Sequence, residues 1–407
     1  MRSLRDLFSL ILTLTIVQLA GGVLGVLLPL SLNGAGATPT AIGLVQACYA
    51  VGFMAGALAS TGLIRRMGPI RAYSAGAAAC AAITLALYAD IHAPVWAALR
   101  AIQGFCIVIM FASGESWLAV AAAPGQRGSV LGVYQAAVKL SLLAGPFLIV
   151  GLSPLAAGPF MLAAAIYAIS LIPLCATRQI EPAPPPMEPF SLASLWRAAP
   201  AAVMAAFVVG VSNQGMVALL PIYAARLEQG GVAAAAALNA AMWAGGMLLQ
   251  WPAGRLSDWI DRRIVIAVLA VISCIGSLGL MALGESAPLP AALALAALWG
   301  AGAFSIYGVA VAHAADAAQG QTQRAIALML LIWAAGAVIG PAVAGVLMQM
   351  GVRGLFLGGL VASVALAIAM VARRRAKDPA PAAEKARFEA TGTTSPAVAA
   401  VDPRAAN

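Results

Sequence analysis

The sequence predicts an all-α membrane protein, with twelve transmembrane helices in two pseudo-symmetric six-helix bundles. Three observations carry that reading. Charged residues make up only 9% of the 407 residues, while 62% are hydrophobic, and ionisable groups vanish for about twenty residues at a time. Twelve apolar runs result, each near the length a helix needs to cross about 30 Å of hydrocarbon. Finally, arginines return mostly at every second turn, and several short motifs occur twice in the same order. In lipid only helices and closed barrels satisfy every backbone polar group, and these runs lack the alternation of barrel strands.

The first run, residues 7–32, follows Arg2 and Arg5 and carries Leu28-Pro29-Leu30 near its far end. It is too long for a signal-peptide core, so Ala35-Gly36-Ala37 reads as a loop after an uncleaved helix. Runs at 41–64 and 70–90 flank the turn Arg65-Arg66-Met67-Gly68. The fourth, 94–120, carries Arg100, Gln103 and Glu115. The fifth, 129–151, follows Gln126-Arg127, contains Lys139 and ends near Gly145-Pro146; the sixth is 154–177. The connection that follows holds Pro182, Pro184, Pro185, Pro186 and Pro189. Proline at that density neither continues a helix nor packs a core, so 178–198 reads as a cytoplasmic linker between a bundle at 1–177 and a second at 199–375.

The second bundle repeats the first. Its runs are 199–225, 235–254, 264–283, 288–312, 325–349 and 354–372. Leu220-Pro221-Ile222 mirrors the proline of the first run, Asp258 to Arg263 stands where the first arginine turn stood, and Gln323-Arg324 precedes Gly340-Pro341. Duplicated six-helix bundles are what transporters use to build a midplane site between halves. The remainder, 376–407, is rich in Ala, Pro, Thr and charge and reads as a disordered cytoplasmic tail.

Arginines orient the chain. The side holding Arg2 also receives Arg65, Arg66, Arg71, Arg127, Arg178, Arg197, Arg255, Arg262, Arg263, Arg324 and Arg373-Arg374-Arg375, whereas the other side receives Arg226 and Arg353. That asymmetry places both termini of a multi-pass protein in the cytoplasm, and a bacterial plasma membrane is the expected location. The net charge of +9 then reflects topology and contact with the lipid bilayer, and nucleic acid is not an expected partner. The five cysteines lie inside apolar runs without CxxC pairing, so neither disulfides nor a metal site is implied. No cofactor is expected, and the chain reads as a monomer.

Gly254-Arg255-Leu256-Ser257-Asp258 followed by Arg262-Arg263 resembles the inner-loop signature of the major facilitator superfamily. Arg100-Ala101-Ile102-Gln103-Gly104 matches its R-x-x-Q-G element, and Gly336 to Pro341 resembles its Gly-Pro bending element. Glu115-Ser116-Trp117-Leu118, Gln250-Trp251-Pro252 and Arg66 to Tyr73 are most similar to the YcaD-like branch. The resemblance covers the chain to about residue 375 and lends the major facilitator fold, but no substrate. It implies a proton-coupling or anion-binding role for Arg100, and an inner gate built on Asp258, Arg255, Arg262, Arg66 and Arg127. The first-half turn has Arg65 where the family pattern has an aspartate.

Charges within the runs are few, and each must face a wet cavity or a partner, because hydrocarbon penalises them by at least about 2.5 kcal/mol. Glu115 lies about 60° round the helix from Arg100 and about 22 Å along it, so both can face one cavity without pairing. Low dielectric disfavours a charged acid, which suits Glu115 to load and release a proton; the alternative is a structural pair with Lys139. Lys139 is then either a substrate-anion contact or that counter-ion. Arg100 either serves the cavity or snorkels outward. His313 aligns with Glu115 when Gly302 is matched to Gly104, giving a second titrating candidate or a structural histidine. Gln18, Gln103, Asn213 and Gln214 are the polar candidates for recognition, and Trp117 and Trp333 either stack on a substrate ring or pack the core.

These residues fit a secondary transporter of a small organic solute, working by alternating access and proton-coupled. Two alternatives stand beside it: a non-transporting sensor or assembly factor on a transporter scaffold, and a membrane-embedded transferase. The last lacks a nucleophile, base and orienting group in any recognisable set, so no enzyme activity is expected. Nothing resembles a phosphate-binding Walker loop.

Overall fold

Helices begin and end in this chain where proline, glycine and short polar side chains instruct them to. The structure, a computed structural model, describes residues 2–175, 191–318, 320–376 and 385–406, and among these every regular element is a helix. The first bundle comprises α1 (Arg2–Gly34), α2 (Pro39–Met67), α3 (Pro69–Ala89), α4 (Ala93–Ala121), α5 (Arg127–Ala144) and α6 (Ala157–Ile169), extended by a short α7 (Leu171–Cys175). After α8 (Leu192–Ala198) come α9 (Pro200–Arg226), α10 (Val232–Trp259), α11 (Arg262–Leu283), α12 (Leu289–Ala317), α13 (Thr322–Gln349) and α14 (Val352–Ala376). A last, short helix, α15, spans Val398–Val401. Among the described residues twelve spans are long and apolar enough to cross a bilayer, and they coincide with the twelve runs expected.

Local chemistry sets the turns. Thr38 caps α2 by accepting a bond from the Ala41 amide, and Pro39 occupies the first turn, where its missing N–H is not needed. Gly68, at φ 82°, ends α2, and Pro69 at once opens α3, so the arginine turn is one residue long. Asp261 caps α11 through the Arg263 amide. The two Gly-Pro elements behave differently. Pro146 ends the α-helical part of α5 in a tighter 3-10 stretch, Gly145–Ile149, whereas Pro341 lies inside a continuous α13.

The two halves pack alike because their glycines do. A methyl group built on Gly104 of α4 would lie 2.1 Å from the Tyr49 carbonyl oxygen of α2, and one on Gly300 of α12 would lie 2.0 Å from that of Met242 in α10. Such approach is open only to residues without a side chain, and it draws α2 onto α4 and α10 onto α12. The halves join at the end away from the arginines, where α2 meets α13 and α5 meets α10. There a methyl on Gly43 would lie 2.2 Å from the Pro341 carbonyl, Thr40 donates to Gln349, and the Asn239 amide donates to the Leu142 carbonyl at 3.1 Å. That end is closed.

Two segments carry more structure than their composition suggests. Residues 176–190, most of the proline-rich linker, lie outside the described residues, but 192–198 is helical, held by Leu195, which is buried. The tail differs more. Residues 377–384 lie outside the described residues, but 385–406 enter between the bundles, and Ser395, Asp402 and Val401 are fully buried. Composition describes what a segment can bury by itself; this one finds its apolar partners on the two bundles.

Candidate functional site

A central cavity of about 240 Å³ lies between the bundles. Both halves line it: Gln18 from α1, Gln46 and Tyr49 from α2, Arg100 from α4, Gln135 and Lys139 from α5, then Asn213 and Gln214 from α9, with Trp243, Gln250, Phe304, Tyr307 and Trp333 from α10, α12 and α13. Thr391 to Thr394 of the C-terminal segment line it too.

Arg100 is buried and does not snorkel. Its guanidinium donates to Gln103 Oε1 at 2.6 Å and to Gln46 Oε1 at 2.9 Å, and lies over the Tyr49 ring at 4.0 Å. Its Nε is buried and without a hydrogen-bond partner. Gln103 does not line the cavity; it ties Arg100 to Thr84 at 3.2 Å and so fixes the arginine's direction. Lys139 lines the cavity and, among the described residues, has no hydrogen bond or ion pair. Among the described residues, no aspartate or glutamate lines this space. Two cations therefore face it with amides and rings for company, and the cavity is electropositive.

Glu115 does not pair with Lys139. Its carboxylate is fully buried below the cavity and accepts hydroxyl hydrogen bonds from Tyr134 at 2.6 Å, from Thr394 and from Ser395. No cation meets it among the described residues. Asn213 donates to the Ala303 carbonyl at 3.2 Å, leaving its Oδ1 buried and unmatched. Trp333 meets Phe53 and Tyr307 edge-on, and Trp243 stacks on Phe304 at 4.2 Å between ring centres. Trp117 is buried away from the cavity, with its indole N–H unpartnered.

His313 is also placed differently from expectation. In packing terms Ala101 and Gly104 of α4 correspond to Ala297 and Gly300 of α12, since each pair closes on the same partner helix. Both correspondences are an offset of 196 residues, which carries Glu115 to Val311; the match of Gly104 to Gly302 was two residues out of register. His313 does not line the cavity and lies in the field of Asp261, Arg262, Arg263 and Asp316 at the arginine-rich end.

Of the five residues expected to gate, Asp258 and Arg262 share a network there. Arg262, 1% exposed, donates through Nε and Nη2 to the Asp316 carboxylate at 2.6 and 3.1 Å, and through Nη1 to Ser257 at 2.8 Å and Asp258 at 3.3 Å. Asp258 does not reach the start of α5. Its second donor is the Phe388 amide of the C-terminal segment, at 2.9 Å. Arg127 instead holds its own turn through the Ala119 carbonyl at 3.5 Å. Arg255 stacks over Trp251 at 4.8 Å, and Arg66 is exposed at the end of α2. Asp261 is acidified despite burial, because the Arg263 side chain and amide bond its charged form. Among the described residues no cluster of metal-ligating groups occurs.

Sequence reasoning missed Gln46, Tyr49, Gln135, Trp243, Gln250, Phe304 and Tyr307. Glutamines at 46, 135 and 250, isolated within apolar runs, were the signal available.

Two six-helix bundles meet around a polar central cavity, an arrangement that secondary transporters use. The sequence profile of the major facilitator superfamily matches residues 10–321 and 232–404, and this chain belongs to that superfamily. It is 27% identical over 350 residues to the MFS-type transporter YcaD of Salmonella dublin and of Salmonella gallinarum, covering 85% of this chain and 89% of each relative. Among solved structures, the nucleoside transporter NupG superposes with a TM-score of 0.75 at 13% identity, over 91% of this chain and all of that one. A bacterial homologue of the human lysosomal transporter Spinster, inward-facing and occupied, gives 0.71 at 15% identity, over 93% of this chain and 97% of that one. The transporter FucP in its outward conformation gives 0.56 at 15% identity, over 90% and 98%. The chain is a multi-pass bacterial membrane transporter.

Proposed function

We propose that this chain moves a small organic anion across the bacterial plasma membrane as a proton-coupled secondary transporter, by rocking its two bundles about the central cavity. The observation that supports the reading is that Arg100 and Lys139 line one cavity to which no carboxylate contributes among the described residues. Each buried charge left without an opposite charge costs several kcal/mol, and an anionic ligand offsets that cost for both at once. The stacked Trp243 and Phe304, with Tyr307 and Trp333, offer rings to a flat or apolar remainder of the solute. With the arginine-rich end in the cytoplasm, the closed end faces outward and this is the inward-facing half of the cycle.

Glu115 is the carboxylate placed to carry the coupling proton. It sits on the same helix as Arg100, enclosed, and bonded by hydroxyls that serve either protonation state by rotating. In liposomes, Glu115→Gln retains solute exchange at equilibrium and loses accumulation driven by a pH gradient. Gradient-driven accumulation that survives in a well-folded Glu115→Gln protein removes Glu115 from coupling. Loss of exchange together with accumulation assigns it to solute binding instead.

A further inference from the structure

The C-terminal segment is bonded to both bundles at the mouth through which a solute would leave. It enters on the second bundle: the Ala386 amide donates to Asp316 at 3.0 Å, Arg262 donates to the Ala386 carbonyl at 2.5 Å, and the Phe388 amide donates to Asp258. The Phe388 ring fills a notch made by two glycines. A methyl on Gly254 would lie 2.2 Å from that ring, and one on Gly308 3.2 Å from it. The segment then crosses to the first bundle. Glu389 lies beside Gly128, Gly392 against the Gln135 amide, and Thr394 and Ser395 donate to Glu115. Val398 and Val401 join the apolar cluster of Trp117 and Leu118, while Phe388 and Ala399 join that of Ile326 and Met329.

The segment is also folded on itself. Arg404 pairs with Asp402 at 2.6 Å, and both bond the Thr391 hydroxyl, at 2.8 and 3.0 Å. This closes a loop whose hydroxyl-rich apex, Thr391 to Thr394, forms the cavity floor. Neither Arg100 nor Lys139 is bonded by it. A solute mimic would neutralise those cations; this segment leaves them free and occupies the exit below.

We infer that residues 385–406 are a built-in plug of the inner vestibule, anchored by Glu115 on one bundle and by Asp258, Asp316 and the Gly254–Gly308 notch on the other. Asp258 and Arg262, which the family resemblance assigns to the inner gate, together with Asp316 recognise the plug's main chain in place of the opposite bundle. The consequence, that solute release waits on release of the plug, rests on the cavity being the solute path. The docking itself does not, and it is tested without any solute.

The test uses the full-length chain in native membranes, with its five cysteines replaced by alanine. Gln135→Cys with Gly392→Cys places two thiols where the plug meets α5, and a mild oxidant should join them; failure to join overturns the docking. Separately, a cysteine at the cavity-lining Val217 is alkylated with a membrane-impermeant maleimide in open membrane fragments. Gly254→Leu, whose side chain would take the notch that the Phe388 ring fills, should speed that alkylation about tenfold, since a rarely opening cover protects what lies beneath it. Thr394→Val with Ser395→Ala should act the same way by removing the Glu115 bonds. Equal rates in the parent and both variants show that nothing covers the vestibule and overturn the proposal. If alkylation accelerates but no organic anion is bound or moved, the plug stands and the transport reading fails.

Discussion

Arg262 is the residue on which the inner network turns. It is charged, sealed from solvent, and met by Asp316, Asp258, Ser257 and a main-chain carbonyl. Removing one partner of a buried pair strands the other, at about 3–5 kcal/mol. Asp316→Ala should therefore lower the melting temperature and yield sharply, and Arg262→Met added to it should recover most of the loss. An unchanged melting temperature in Asp316→Ala would show that Arg262 reaches water. Among single residues the sequence conveyed identity better than direction. An intramembrane Arg, Lys or Glu announces itself by its cost, and so Arg100, Lys139 and Glu115 stood out. Which partner each would take depends on helix rotation and on a segment 279 positions away from Glu115, and neither is written locally.

At the scale of elements, the apolar runs made all twelve helices legible, because the hydrocarbon thickness fixes their length. Pairing between helices was less so. It rests on glycines whose neighbours become known only once α2 lies on α4. Gly104→Leu should force those helices apart, at about 1–3 kcal/mol or more, and Gly300→Leu should do the same in the second half. Gly62→Leu, on the same α2 but facing open space, is the control and should be neutral. Equal tolerance at all three in a thermal melt would contradict the close-packing account. The register of the repeat shows the same limit. Matching glycines by sequence set His313 against Glu115, whereas matching them by what they touch sets Val311 there.

Over the whole molecule, the arginine asymmetry argues for both termini inside. Reporter fusions after Arg197 and Arg375 should then report cytoplasm, and fusions at Asn33 and Glu285 the exterior. A cytoplasmic signal at Asn33 would invert the assignment and make the plugged end external. The plug was illegible because its composition lacks a core of its own. Phe388, Val398 and Val401 are too few to fold alone but enough to dock on surfaces already built. The cavity's charge, by contrast, follows from two residues visible in the sequence, and it carries the functional proposal. Thermal melting of the purified protein against small carboxylates, phosphates, amines and neutral solutes tests it directly. A ligand at a hundred times its Kd stabilises the native state by about 2.7 kcal/mol. The cationic cavity predicts that stabilising solutes are anions and that Lys139→Gln abolishes their effect while raising the unliganded melting temperature, because an unpaired buried charge is removed. Stabilisation by amines or neutral solutes alone, or by anions equally in Lys139→Gln, would contradict it.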